Sequence, residues 1–128
     1  MTIEEAGVLL DTLAEELPTE FYRELNGGVL LESGAKPHPD VPGLFVMGEY
    51  HTHPVLGRYI VIYYGSFVRL FGGMPDSHWT SELRRTLRHE FTHHIESLAG
   101  ARDLERWDEE QMDKYRKKTK IPSPEQGK

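Results

Sequence analysis

Three residues in one short segment have the types and spacing of a hydrolytic metal site. The segment reads His89-Glu90-Phe91-Thr92-His93, with two imidazoles four positions apart and a carboxylate between them. On an α-helix, positions four apart are rotated by about 400° and lie roughly 6 Å apart along the axis, so both imidazoles share one face. Imidazole pairs at this spacing bind zinc, and the glutamate beside them acts as a general base. We therefore predict His89 and His93 as zinc ligands and Glu90 as the base.

The chemistry expected from these residues is peptide-bond hydrolysis. A zinc ion with three protein ligands keeps a position for water and lowers the pKa of that water toward about 7. Glu90 would take the proton from the zinc-activated water and pass it to the leaving amine. An edge strand, such as residues 58–64, would align an extended peptide by β-pairing. The alternative is a zinc-binding module with little or no peptidase activity, which acts through protein interaction.

The histidine pair falls within the strongest helical pattern of the chain. Apolar residues recur mostly four apart and predict a helix that begins at Asp76 or Ser77 and ends at Gly100. These apolar residues are Trp79, Leu83, Leu87, Phe91, Ile95 and Leu98. A last helix is expected over residues 104–117. Residues 118–128 contain two prolines and a glycine and are expected to form a flexible tail.

The first 75 residues predict two helices and a small sheet. Thr2 and Glu5 have the spacing of a capping box, and Pro18 cannot continue the helix that the box begins. β-Branched and aromatic residues mark the strands, with prolines and glycines between them. The expected elements are helices over 3–17 and 20–25, strands over 29–31, 44–50 and 58–64, a hairpin connection over 51–57, and a strand or helix over 65–70. The fold class is therefore α+β, with a single domain over residues 1–117.

Composition limits the class of protein and its partners. The chain has 128 residues, of which 38% are apolar, with a net charge of −6 and a mean hydropathy of −0.56. This balance is typical of a soluble globular protein, and the acidic excess argues against nucleic acid as a partner. The absence of cysteine excludes disulfides and thiolate zinc sites. With no apparent signal sequence or membrane span, we expect a cytoplasmic monomer or weak oligomer that acts on a peptide or protein.

The sequence resembles a family of minimal zincin-like bacterial proteins, which are described as presumed zinc metallopeptidases. The resemblance rests on residues 87–94, on the strand over 59–65 and on the acidic first helix, and it covers most of residues 1–115. It implies a minimal zincin-like fold, in which a small, mostly antiparallel sheet packs against the N-terminal helix and the helix that bears the histidines. It also implies one bound Zn²⁺ ion and peptidase activity on substrates that are poorly defined.

The third zinc ligand is less well defined. The family pattern is similar to HExxHHxG followed by an acidic residue, and Glu96 stands here where the glycine is expected. A glycine and an acidic residue, Gly100 and Asp103, follow about one helical turn later. If Gly100 reverses the chain, Asp103 is the third ligand, and the alternative is that Asp103 caps the last helix. The other candidates are Glu96, Glu105 and Glu109.

The remaining histidines and tyrosines are weaker candidates for a site. We expect His94 to pack or to form hydrogen bonds rather than to bind metal. His51 and His53 are expected to belong to an ordinary hairpin, and the alternative is that they line the cleft or bind a stray metal ion. For Tyr63 and Tyr64, which end the best strand, core packing is expected, and the alternative is a hydrogen bond to a developing oxyanion.

Overall fold

A computed structural model describes the backbone of residues 1–119 and the side chains of residues 1–101. The elements in chain order are α1 (Ile3–Glu15), a 3-10 helix (Thr19–Tyr22), β1 (Gly28–Glu32), β2 (Lys36–Pro37), β3 (Phe45–Val46), β4 (Gly48–His53), β5 (Gly57–Tyr63), α2 (Tyr64–Phe71) and α3 (Asp76–Thr119). Within this described part, no helix is both long enough and apolar enough to cross a membrane.

The chain divides into two compact units, Met1–His94 and Ile95–Lys128. The first unit contains both sheets, α1, α2 and the part of α3 that carries the histidine pair. In the second unit, α3 continues to Thr119, and residues 120–128 lie outside the described residues together with most of the tail expected over 118–128. The single domain expected over residues 1–117 stays a prediction.

The three longest strands form a mixed sheet in the order β1-β5-β4. Strand β5 pairs parallel with β1 and antiparallel with β4, while β2 and β3 form a separate antiparallel pair. The α+β class is confirmed, but the main sheet is mixed because the chain passes through three other strands before β5 returns beside β1. Strand β5 is central, so the expectation that residues 58–64 form an edge strand is wrong.

The core of the first unit packs the sheet against α1 and α3. Helix α3 contributes four side chains that are each 1% exposed, and we call them the apolar stripe: Trp79, Leu83, Leu87 and Phe91. Removal of each from water contributes about 1.5–3 kcal/mol. Their burial confirms the predicted helical pattern in this unit. The next inward position is His94 rather than Ile95, because a spacing of four drifts by about 40° per step on a helix of 3.6 residues per turn.

Both ends of α1 are held by polar contacts. At its start, Thr2 N–H donates to Glu5 Oε1 at 2.8 Å and Glu5 N–H donates to Thr2 Oγ1 at 3.1 Å, which confirms the predicted capping box. Beyond its last residue, the carboxylate of Glu16 accepts two bonds of 3.0 Å from the Arg84 guanidinium on α3. Helix α1 is therefore tied to the same helix that bears the histidine pair.

Three helix boundaries differ from the sequence predictions. Residues 64–71 form α2, which decides the ambiguous segment 65–70 in favour of a helix. A 3-10 helix over Thr19–Tyr22 replaces the one expected over 20–25. Helix α3 continues through Gly100, so the expected chain reversal and the separate helix over 104–117 are not found. A lone glycine costs only about 1 kcal/mol relative to alanine, and neither proline nor a second glycine follows before Thr119.

The start of α2 lies directly against the loop between β1 and β2. Gly65 N–H donates to the Gly34 carbonyl at 3.1 Å, and a Cβ atom on Gly65 would collide with the backbone of Gly34 and Ala35. The neighbouring Ser66 is buried, and its Oγ accepts a bond of 3.0 Å from Lys36 N–H. These contacts fix where β2 begins and therefore where the Lys36 side chain lies.

Replacement of Gly65 by alanine should destabilise the protein even though alanine is the better helix former. The added methyl group has no space against the β1–β2 loop, so we expect the free energy of unfolding to fall by about 1–3 kcal/mol. Gly34→Ala is the matched control, because nothing lies within 4 Å of a Cβ atom there. Urea unfolding measures both changes, and a Gly65→Ala protein as stable as wild type would contradict this packing.

Candidate functional site

His89 and His93 lie on an exposed face of α3, where their rings meet. Their Nε2 atoms are 3.1 Å apart, and the ring planes are inclined by 86°. Two nitrogens that bind one zinc ion at about 2.0–2.1 Å with tetrahedral angles lie about 3.3–3.4 Å from each other. The pair therefore fits two ligand positions of one tetrahedral zinc ion with only a small adjustment of the rings.

The third ligand position has no assigned residue among the described side chains. Within residues 1–101, no group of three or more His, Asp or Glu side chains could hold a metal ion. The side chains of Asp103, Glu105 and Glu109 lie outside the described residues, and the chain reversal at Gly100 on which the prediction of Asp103 as a ligand depended is not found. The backbone of Asp103 is helical, which removes the alternative that Asp103 caps a separate last helix. Glu96 is exposed.

Glu90 lies on the side of α3 between the histidine pair and the core. It is only 5% exposed. Burial raises the pKa of its carboxyl group, and electrostatic interactions with His89 and His93 lower it only in part. A carboxylate with a raised pKa accepts a proton more readily than an ordinary glutamate, which suits a general base. The structure thus brings His89, Glu90 and His93 together, whereas Asp103, the fourth residue predicted for the site, has no described side chain.

A cavity of about 440 Å³ opens beside His89 and Glu90. Its lining residues come from α3 and from the start of β4: Met47, Gly48, Arg85, Thr86, His89 and Glu90. Gly48 allows the close approach of the two elements, since a Cβ atom there would lie 3.0 Å from Thr86 Cγ2. Strand β4, which is an edge of the main sheet, therefore begins next to the helix face that carries the histidines.

His94 joins α3 to two other parts of the first unit. Its side chain is fully buried, and Nε2 lies 2.8 Å from the backbone carbonyl of Arg23. Because a carbonyl only accepts, Nε2 carries the proton and donates. The Nδ1 atom, 2.8 Å from the Tyr50 hydroxyl, then accepts from that hydroxyl. His94 is thus a packing and hydrogen-bonding residue, as predicted.

A polar cluster around Glu49 was not predicted from the sequence. Glu49 Oε1 accepts bonds from the Tyr63 hydroxyl at 2.7 Å and from His51 Nε2 at 2.9 Å, and Oε2 pairs with Lys36 Nζ. Burial acts to raise the pKa of Glu49, but these three bonds outweigh burial and lower the pKa to about 2. The charge of Glu49 in turn raises the pKa of Glu90.

The cluster corrects the expectation for Tyr63 and adds contacts to His51, which lies in the β4–β5 hairpin as expected. Tyr63 does not simply pack in the core, because its hydroxyl donates to Glu49. His51 lies within β4, bonds to Glu49 and stacks on the Tyr59 ring with centroids 5.1 Å apart. His53 lies in the hairpin as expected. Its Nδ1 accepts hydrogen bonds from the backbone N–H groups of Val55 and Leu56, at 3.0 and 3.1 Å.

The fold is α+β, and one comparison places the chain in a family. No protein-family model matches the sequence, and no curated protein matches it. A solved structure, described as a conserved hypothetical protein from Thermus thermophilus, is 39% identical, with a TM-score of 0.69. The match covers 78% of this chain and 99% of that one. The chain belongs to the same family as that protein, whose description names no activity.

Tyr50→Phe should weaken the attachment of α3 to β4. The substitution leaves the buried Nδ1 atom of His94 without its donor, so we expect the free energy of unfolding to fall by about 1–3 kcal/mol. Tyr59→Phe removes a hydroxyl from the neighbouring strand, away from His94, and serves as the control. Thermal and urea unfolding of the two variants compare the effects. Equal stability of both would contradict the proposed bond between Tyr50 and His94.

Glu49→Gln should lower stability in a way that depends on pH. The folded pKa of about 2 lies below the ordinary value of 4.5, so the charged carboxylate stabilises the fold above pH 4.5. This contribution is lost as the pH falls toward 2. At neutral pH we expect the variant to be less stable by about 1–3 kcal/mol.

Urea unfolding of wild type and Glu49→Gln at several pH values measures the difference. We expect the stability gap to shrink as the pH falls from 4.5 toward 2. Asp11→Asn neutralises an exposed position of α1 and is the control for a general effect of charge. A gap that stays constant over this pH range would show that Glu49 does not hold its charge as described.

Proposed function

We propose that this protein is a zinc-dependent metallopeptidase with a minimal zincin-like fold. The observation that carries the proposal is the arrangement of three side chains on one helix. His89 Nε2 and His93 Nε2 lie 3.1 Å apart, at a separation suited to one zinc ion, and the buried carboxylate of Glu90 lies beside them. Metal-assisted peptide hydrolysis uses two such imidazoles and an adjacent base, together with a third metal ligand.

Each of the three residues has a defined task in this mechanism. His89 and His93 would hold the zinc ion, and the third ligand is left open, because α3 does not reverse at Gly100 as a ligand role for Asp103 requires. Zinc, when bound there, supplies a Lewis acid that acidifies water and polarises the carbonyl of the substrate. Glu90 takes a proton from the attacking water and gives it to the leaving amine. Burial of Glu90 raises its pKa above the ordinary value, which favours acceptance of the proton.

The edge strand β4 is the proposed guide for the substrate. In the described part of the chain, β4 pairs with β5 along one side only. An extended peptide added to the free side would form backbone hydrogen bonds with β4. Because β4 begins at the cavity lined by His89 and Glu90, such a peptide would bring one of its carbonyl groups to the histidine pair. Strand β4 thus takes the role that the sequence suggested for residues 58–64.

Two substitutions separate zinc binding from hydrolysis. We expect wild type to carry one zinc ion by elemental analysis and to cleave members of a peptide library. Glu90→Gln should retain zinc but hydrolyse about 10²–10⁴-fold more slowly, because the proton acceptor is lost. His93→Ala should lose both zinc and hydrolysis. Thr92→Ala changes an exposed residue of the same helical turn and should retain both.

The outcomes distinguish the proposal from its alternative. Unchanged hydrolysis by Glu90→Gln would contradict the role of Glu90 as base. Stoichiometric zinc in wild type without cleavage of any peptide would favour a zinc-binding module that acts through protein interaction. Loss of cleavage on addition of a chelator and its return with added zinc would support the metallopeptidase.

A further inference from the structure

Three arginines on α3 precede the histidine pair, and they have different environments. Arg84 forms the bidentate pair with Glu16, and Arg88 lies 3.8 Å from the same carboxylate. Both are thus directed toward α1. Arg85 lines the cavity beside His89 and Glu90, and its side chain is 80% exposed. Arg85 is therefore the arginine that a ligand in the cavity would meet.

The Arg85 guanidinium remains accessible to a ligand. Its described ion pair joins Nη2 to Glu82 Oε1 at 3.1 Å, across a spacing of three residues on the helix. Such a pair at an exposed arginine contributes at most about 1 kcal/mol, so a ligand can compete with it. The guanidinium carries five N–H donors in a planar fork, which matches the two oxygens of a carboxylate.

Arg85 lies at a short distance along α3 from the proposed site of cleavage. Arg85 precedes His89 by four residues, so the two share a face of α3 and lie roughly 6 Å apart along its axis. That rise corresponds to about two residues of an extended peptide, at about 3.3 Å per residue. Met47 and the Thr86 methyl group add apolar surface to the same cavity, suited to the aliphatic part of a substrate residue.

We propose that this cavity is a substrate subsite that recognises a carboxylate through Arg85, one or two residues from the cleaved bond. The inference rests on the proposed peptidase function and adds a substrate class to it. The carboxylate belongs either to an acidic side chain or to the free C-terminus of a short peptide. Glu82 and Glu90 oppose a negatively charged ligand, and the guanidinium overcomes this opposition by pairing with both carboxylate oxygens.

Peptide binding to zinc-loaded Glu90→Gln protein tests the subsite without turnover. The probes are fluorescent, N-acetylated short peptides in matched sets. One set compares glutamate with glutamine at successive positions in amidated peptides, and the other compares a free C-terminal carboxylate with its amide. We expect the carboxylate member of at least one set to bind about fivefold to tenfold more tightly. The set that shows the preference identifies the source of the carboxylate.

Arginine variants in the same Glu90→Gln background assign the preference to a residue. Arg85→Ala should abolish the discrimination between charged and neutral peptides, and Arg85→Lys should retain part of it. Arg88→Ala removes the same charge from the same helix but not from the cavity, so it should keep the full preference. The inference is overturned if wild-type Arg85 gives no preference, if the preference survives Arg85→Ala, or if no probe binds.

Failure of the inference and failure of the proposed function give different results. A carboxylate preference that depends on Arg85, in a protein whose wild type cleaves none of the probes, supports the subsite and opposes the peptidase. Cleavage by wild type without any carboxylate preference supports the peptidase and overturns the subsite.

Discussion

The rotation of α3 about its own axis decides which of its side chains meet the sheet and which border the cleft. Burial of the apolar stripe fixes this rotation, because exposure of any of its large side chains would cost about 1.5–3 kcal/mol. The fully buried His94 fixes it again through bonds to Tyr50 and to the Arg23 carbonyl. With this side inward, His89 and His93 are exposed, and Glu90 is held where burial raises its pKa.

The sheet contributes charge as well as support. The cluster around Glu49 keeps a carboxylate ionised on β4, and that charge acts together with burial on the pKa of Glu90. The position of Lys36 in the cluster depends on Gly65, whose lack of a side chain lets the β1–β2 loop pack against α2. A contact remote from the histidine pair is thus linked, through the loop and the cluster, to the electrostatics of the proposed base.

The sequence was most informative where the determining interactions are local. The capping box of Thr2 and Glu5 and the apolar stripe depend on spacings of three or four residues, and both were predicted correctly. The parallel pairing of β1 with β5 and the contact of Lys36 with Glu49 join segments that no local pattern relates. Gly100 does not end α3 as predicted, because a lone glycine costs a helix little and neither proline nor a second glycine follows it before Thr119. Arg85 went unnoticed, although its spacing of four from His89 places both on one helix face.

Zinc titration of ¹⁵N-histidine-labelled protein, followed by NMR of the imidazole nitrogens, tests the central claim most directly. We expect one equivalent of zinc to shift the Nε2 resonances of His89 and His93. His94 should keep its Nε2 proton and its resonances, because both of its nitrogens are occupied in bonds to Tyr50 and Arg23. Substitution of either His89 or His93 should abolish the shifts. Zinc that leaves this pair unchanged, or that shifts only His51 or His53, would contradict the account.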